Sequence, residues 1–261
     1  MSFPFARLTH GDGSVVATAI HDGHELRSEV AAAIALTEAE RLREEDPFTG
    51  LLTEAAGTTV VVNRSRFEVD LNRPRDKAVY RTPEDAWGLK VWSGALSPDL
   101  ISRSLSEYDS FYGQMERMLL DVERRHGRFV VLDLHSYNHR RGGPDSLCAP
   151  AAGNPEVNVG TGTMNRRRWS LLVDRFLTDL GTHDFQGRHL DVRENVKFRG
   201  GHFAGWVHER FPASACALAI EFKKFFMDEW TGEPDTRQLA AMRAALSGAL
   251  PGIIESLGVL G

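Results

Sequence analysis

The run Phe129-Val130-Val131-Leu132 is unbroken, apolar and largely β-branched, the pattern of a buried strand. Asp133, His135, Ser136, Tyr137, Asn138 and His139 follow at once. The carboxyl edge of a sheet holds polar loop groups against a rigid support, and α/β proteins commonly place their chemistry there. One such strand could equally be a turn with surface histidines, but the arrangement recurs in this chain. Residues 15–20 run into His21-Asp22-Gly23-His24-Glu25, and residues 58–62 lead on to Asp70-Leu71-Asn72-Arg73. The apolar run 216–222 is interrupted only by Glu221.

Helix-length segments separate these strands. Residues 29–44 are rich in alanine, leucine and glutamate and predict one helix, or two short ones around Thr37, stopped before Pro47. A second helix, capped around Ser102 to Ser106, runs to about His126, with an aromatic and methionine stripe that is core packing. Residues 169–180 and 235–250 predict two more, the first stopped by Gly181. Residues 87–92 read as a partly buried loop or short strand, and residues 142–162 as a long connection without periodicity. Residues 191–205 carry Asn195, Arg199 and a Gly200-Gly201 turn. Short strands alternating with helices predict a three-layer α/β/α domain around a central, mostly parallel or mixed sheet. The 261 residues suit a single domain over 1–261.

Composition removes several function classes. Acidic residues number 36 against 31 basic ones, and the only basic tract is Arg166-Arg167-Arg168, so no nucleic-acid partner is expected. Cys148 and Cys216 form no CxxC pair, which disfavours a disulfide framework or a thiolate zinc site. The amino-terminal stretch has neither a basic nor an apolar signal region, and no apolar run reaches membrane-spanning length. A soluble, cytoplasmic protein is expected, with its oligomeric state open. No GxSxG elbow, HExxH helix or glycine-rich phosphate loop is present.

The strand-end residues suit a hydrolytic zinc site, which needs about three nitrogen or oxygen ligands, an open position and a carboxylate to handle protons. His21 and His135 could be two ligands, with Glu25, Glu45 or Asp46 as the third. Carboxylates at the end of the 29–44 helix oppose its dipole, a hint that Glu45 or Asp46 has another task. Glu221 is costly to bury unless paired, for instance with Lys223, or functional as a general base. Arg66, Arg73 and Arg141 could hold a substrate carboxylate or polarise a carbonyl.

As an ordered set these motifs resemble the N-formylglutamate amidohydrolase (N-formylglutamate deformylase) family, related in fold to the zinc carboxypeptidases and aspartoacylases. The matching positions are His21, Asn72-Arg73 in VDLNRP, His135-Ser136-Tyr137 in LDLHSY, and Glu221 in AIEF. The resemblance implies a zinc-carboxypeptidase-like (phosphorylase/hydrolase-like) fold and one Zn2+ per chain on His21 and His135. It further implies Glu221 as base, Arg73 opposing oxyanion charge, and Asn72, Asn195 and Arg199 near the substrate; Arg66 and Arg141 stay as substrate contacts on the residue reading alone. The carboxypeptidase pattern has a ligand glutamate three residues after the first histidine, where this chain has His24. An acidic residue further downstream fits REEDPFT, which favours Glu45, then Asp46, then Glu25. The expected activity is zinc-dependent hydrolysis of a small N-acyl amino acid, N-formyl-L-glutamate being the named substrate. The rivals are a zinc carboxypeptidase or peptidoglycan-type amidase, and a non-catalytic binding protein on the same fold.

Overall fold

The computed structural model describes residues 5–259. Residues 1–4, part of the stretch read for a signal segment, and residues 260–261 lie outside them. The strands are β1 (Ala6–Thr9), β2 (Val15–Ala19), β3 (Thr58–Val62), β4 (Phe129–Tyr137), β5 (Val157–Gly160), β6 (Val192–Glu194) and β7 (Ala215–Lys223). They form one seven-stranded sheet in the order β1-β3-β2-β4-β7-β5-β6. β3, β2, β4 and β7 are mutually parallel, whereas β1 joins β3 and β5 joins β7 antiparallel. The sheet is therefore mixed, with a parallel centre.

The helices are α1 (Ser28–Ala33), α2 (Glu38–Glu44), α3 (Thr49–Leu52), α4 (Pro98–His126), α5 (Ser170–Thr182), α6 (His202–Arg210) and α7 (Thr236–Val259). Every residue of β2 and β4 is buried, because helices cover both faces. Val130, Leu132, Leu134, Cys216, Leu218 and Ile220 pack towards α5 and α7. Phe129, Val131, Ala215, Ala217 and Ala219 pack towards α4 and α6. The small alanines on that face of β7 let α6 approach closely. A smaller cluster, including Phe67, Tyr80 and Trp92, lies under the 78–100 segment.

The 29–44 stretch forms the second of the two expected alternatives, two short helices around Thr37, because Thr37 and Glu40 make a reciprocal capping box. Several other boundaries differ from expectation. α4 begins earlier than Ser102, with the Ser97 hydroxyl accepting from Leu100 N at 3.2 Å. α5 continues through Gly181, and α7 continues through Pro251. The buried Ile253 and Leu257 reward the extra turns of α7 despite the lost backbone bond. The 142–162 connection contains β5, and the 191–205 segment contains β6 and the start of α6. Residues 87–92 form a loop touched by one bridge from Ile34 to Trp92.

Candidate metal centre and its pocket

Three carboxyl strand edges meet above the centre of the sheet. His21 follows β2, and parallel pairing sets His135 of β4 beside Glu221 of β7. A further approach comes from Asp46, just beyond α2, where its N–H donates to the His21 carbonyl at 2.9 Å.

His21, Asp46 and His135 are buried, and each offers a ligand atom, all of these lying within 4.8 Å of one another. Asp46 Oδ2 is 3.4 Å from His21 Nδ1 and 3.1 Å from His135 Nδ1. The far nitrogen of each ring faces a different buried carboxylate. His21 Nε2 donates to Asp70 Oδ1 at 2.8 Å, and His135 Nε2 lies 3.0 Å from Asp133 Oδ2. The Asp70 bond fixes the His21 tautomer that leaves its Nδ1 with a lone pair facing Asp46, and Asp133 stands in the same place behind the His135 ring. Thr18 Oγ1 donates to Asp133 Oδ1 at 3.0 Å, and Ser136 Oγ donates to Asp46 Oδ1 at 3.1 Å. His21 Nδ1 is buried without a hydrogen-bond partner among the described residues. An orphaned ring nitrogen beside a second one and a carboxylate is a donor set that suits zinc with one position open.

Electrostatics support the same arrangement. Burial pushes the Asp46 carboxyl up, but the neighbouring His135 and His21 rings outweigh it and hold it far below the carboxylate range. For Asp70, burial is likewise outweighed, by the Arg66 guanidinium and His21. Glu221 goes the other way. Burial raises it to about 7, opposed by His135 and assisted by Asp46 and Asp133. Its carboxylate makes no hydrogen bond or ion pair among the described residues. Lys223 donates instead to the Asn154 carbonyl at 3.3 Å.

The third ligand is where sequence and structure part. Glu45, favoured from the sequence, is taken up by His24, Ser65 and Arg41, and Glu25 is exposed. Glu44, Glu45 and Asp46 are consecutive, yet each meets a different partner, and only Asp46 reaches both histidines.

A cavity of about 260 Å³ adjoins the centre. His21, Asp46, His135, Glu221, Arg66, Asn72, Arg141 and Arg199 all line it. Arg66 Nη2 donates to Asp70 Oδ2 at 3.0 Å, and its guanidinium lies 4.9 Å from the Trp87 ring. The Arg199 guanidinium has no partner among the described residues. Asn72 Oδ1 accepts from Phe203 N at 3.0 Å, capping the start of α6. A Cβ on Gly201 would sit 2.3 Å from that same oxygen, so the turn requires glycine.

Two expected residues are not brought in. Arg73 stands behind the wall, donating to the Asp85 carbonyl at 2.6 Å and lying 4.9 Å from the Tyr80 ring. Asn195 bonds Thr161 through both amide atoms, at 2.9 and 2.7 Å, and adopts a left-handed φ of 54°. Sequence reasoning passed over three wall residues: Glu44, Trp87 and Lys224. Only Lys224 left a signal, a lysine three residues beyond Glu221. It is buried, and its Nζ donates to the Arg43 and Glu45 carbonyls at 2.6 and 2.7 Å. A larger cavity of about 520 Å³ lies at the opposite edge of the sheet, where Ser14, Arg128 and Ser214 precede the central strands, and among the described residues it contains no cluster of metal ligands.

The model of the N-formylglutamate amidohydrolase family matches residues 13–227. No curated protein matches the sequence. Among solved structures, the chain is similar to an N-formylglutamate amidohydrolase from Ralstonia eutropha JMP134. The TM-score is 0.73 at 17% identity, covering 97% of this chain and 98% of that one. It is also similar to a gene product of Agrobacterium tumefaciens, with a TM-score of 0.65 at 18% identity over 95% and 96% of the two chains.

Proposed function

The chain belongs to the N-formylglutamate amidohydrolase family, and we propose on that footing that it hydrolyses the amide bond of a small N-acyl amino acid, N-formyl-L-glutamate being the named substrate, to L-glutamate and formate. One observation carries the reading: two histidine Nδ1 atoms and the Asp46 carboxylate converge beside an unpaired Glu221.

His21, Asp46 and His135 would hold one Zn2+ per chain. Bound there, zinc would supply Lewis acidity and a nucleophilic water at neutral pH. Glu221, raised to about 7 by burial, is suited to take the proton of the attacking water and pass it to the leaving nitrogen. Arg66 lines the cavity and Arg73 does not, so opposition to charge growing on the carbonyl oxygen falls to Arg66. Arg73 supports it from behind, 3.4 Å from the Asp70 carboxylate that Arg66 also binds. Arg199, free of partners, is placed to receive the substrate's α-carboxylate.

A carboxypeptidase or peptidoglycan-type amidase would need room for a peptide. A cavity of about 260 Å³ lies below the usual span for drug-sized ligands and suits an amino acid derivative. The test is turnover by zinc-loaded protein across N-acyl amino acids and short peptides. We expect release of the carboxylic acid from the former and none from the latter. Cleavage of peptides with no cleavage of N-acyl amino acids would overturn the reading.

A further inference from the structure

We propose that Glu44 is an internal stand-in for the side-chain carboxylate of an acidic substrate. It occupies Arg141 until such a substrate displaces it, and so sets how strongly the pocket prefers an acidic over a neutral side chain. The proposal rests on the N-acyl amino acid reading above and deepens it.

Glu44 ends α2 and lines the cavity, with its side chain only 8% exposed. A carboxylate so placed needs a cation, because burying a charge without a partner is strongly unfavourable. Arg141 supplies it, oxygen by oxygen, at 3.3 and 3.2 Å, with Arg43 Nε further away at 3.7 Å. These contacts are long beside the roughly 2.7–2.9 Å of a tight charge-assisted pair. The Arg141 side chain is 60% exposed, follows β4 on a loop, and has no other hydrogen bond or ion pair among the described residues. It is a loosely held guanidinium at the cavity wall, and its present partner is a carboxylate of the protein's own.

The other cations of the wall differ in kind. Arg66 is committed to Asp70, to the Tyr80 hydroxyl and to the Glu44 carbonyl, at 3.0, 3.3 and 3.3 Å. Lys224 is committed to two backbone carbonyls. Arg199 is uncommitted. The cavity thus offers one free guanidinium for a first carboxylate, and a second only by exchange against Glu44. A neutral side chain needs no exchange. An acidic one must compete with a tethered rival that is always present at high effective concentration.

The experiment is calorimetric titration of zinc-loaded protein with L-glutamate and L-glutamine, which differ by one charge at matched shape. Wild type, Glu44→Gln and the double variant Glu44→Gln/Arg141→Gln are compared, with zinc content and melting temperature measured on each. Glu44→Gln should tighten L-glutamate relative to L-glutamine by about tenfold, the size of one charge-assisted hydrogen bond. The double variant should lose that gain. Equal changes for the two ligands, or a gain that survives removal of Arg141, would overturn the proposal. Turnover of N-acyl amino acids with an unmoved ligand ratio would sink the exchange alone. A shifted ratio with no turnover of any of them would instead sink the proposed reaction.

Discussion

Asp70 gathers hydrogen-bond donors from several segments around the site. Its carboxylate accepts from His21, Arg66, the Tyr80 hydroxyl and the Asn72 N–H. Asp70→Asn should therefore destabilise the fold by about 3–5 kcal/mol in urea unfolding, the range for breaking a buried, paired charge. Burial raises this carboxyl, but Arg66 and His21 depress it well below its ordinary value, so its stabilisation is present above the unfolded pKa of about 3.9 and is lost as pH falls below that. Wild-type stability should accordingly fall more steeply than that of Asp70→Asn below about pH 4. Glu221 has the opposite sign. A base must be ionised to act, so kcat/KM should climb with pH along an acid limb centred at or below about 7. A profile flat from pH 5 to 8 would remove Glu221 from that role. His21, His135 and Glu221 were legible in the sequence because a titratable residue at the end of an apolar strand has few places to go. Asp46 was not legible over Glu45, since three consecutive acids look alike until their partners are known: Arg141, then His24 with Ser65 and Arg41, then the two histidines.

At the scale of elements, the end of α2 and the end of β7 act together. β7 carries Glu221 and, just past its end, Lys224, whose ammonium caps carbonyls on either side of Glu44 and so fixes the approach of Asp46. Lys224→Met, which keeps the stem and removes the charge, should weaken zinc affinity by about 10- to 100-fold, as loss of outer-shell support commonly does. Chelator competition reads that change, and unaltered affinity would show that Asp46 needs no such strut. Gly201→Ala should disturb the Asn72–Phe203 cap of α6 and lower the melting temperature. The central strands β2, β3, β4 and β7 could be read from sequence because unbroken apolar runs leave little choice. The outer strands β1, β5 and β6 have four, four and three residues, too short for alternation to show. α6 begins at a turn that only the packing of Gly201 against Asn72 explains. Pro251 marked an end to α7 that buried contacts on its far side override.

Over the whole molecule, the parallel centre of the sheet gathers one edge of chemistry from segments far apart in sequence. Among the described residues no helix is long and apolar enough to cross a membrane. The order His21, Asn72-Arg73, His135, Glu221 was visible in the chain and resembled one family, which the match over residues 13–227 now establishes. What order alone could not supply was depth: it favoured Arg73 for the oxyanion, whereas Arg66 and not Arg73 lines the cavity, and it favoured Asn195 near substrate, whereas Asn195 holds Thr161. The central claim is that His21, Asp46 and His135 bind a metal and that Glu221 does chemistry beside it without binding it. It is tested most directly by measuring zinc content and turnover of an N-acyl amino acid together, on wild type, His135→Ala and Glu221→Gln. The account predicts one zinc per chain and turnover in wild type, neither in His135→Ala, and zinc without turnover in Glu221→Gln. Full turnover by Glu221→Gln, or a wild type that takes up no zinc on titration, would contradict it.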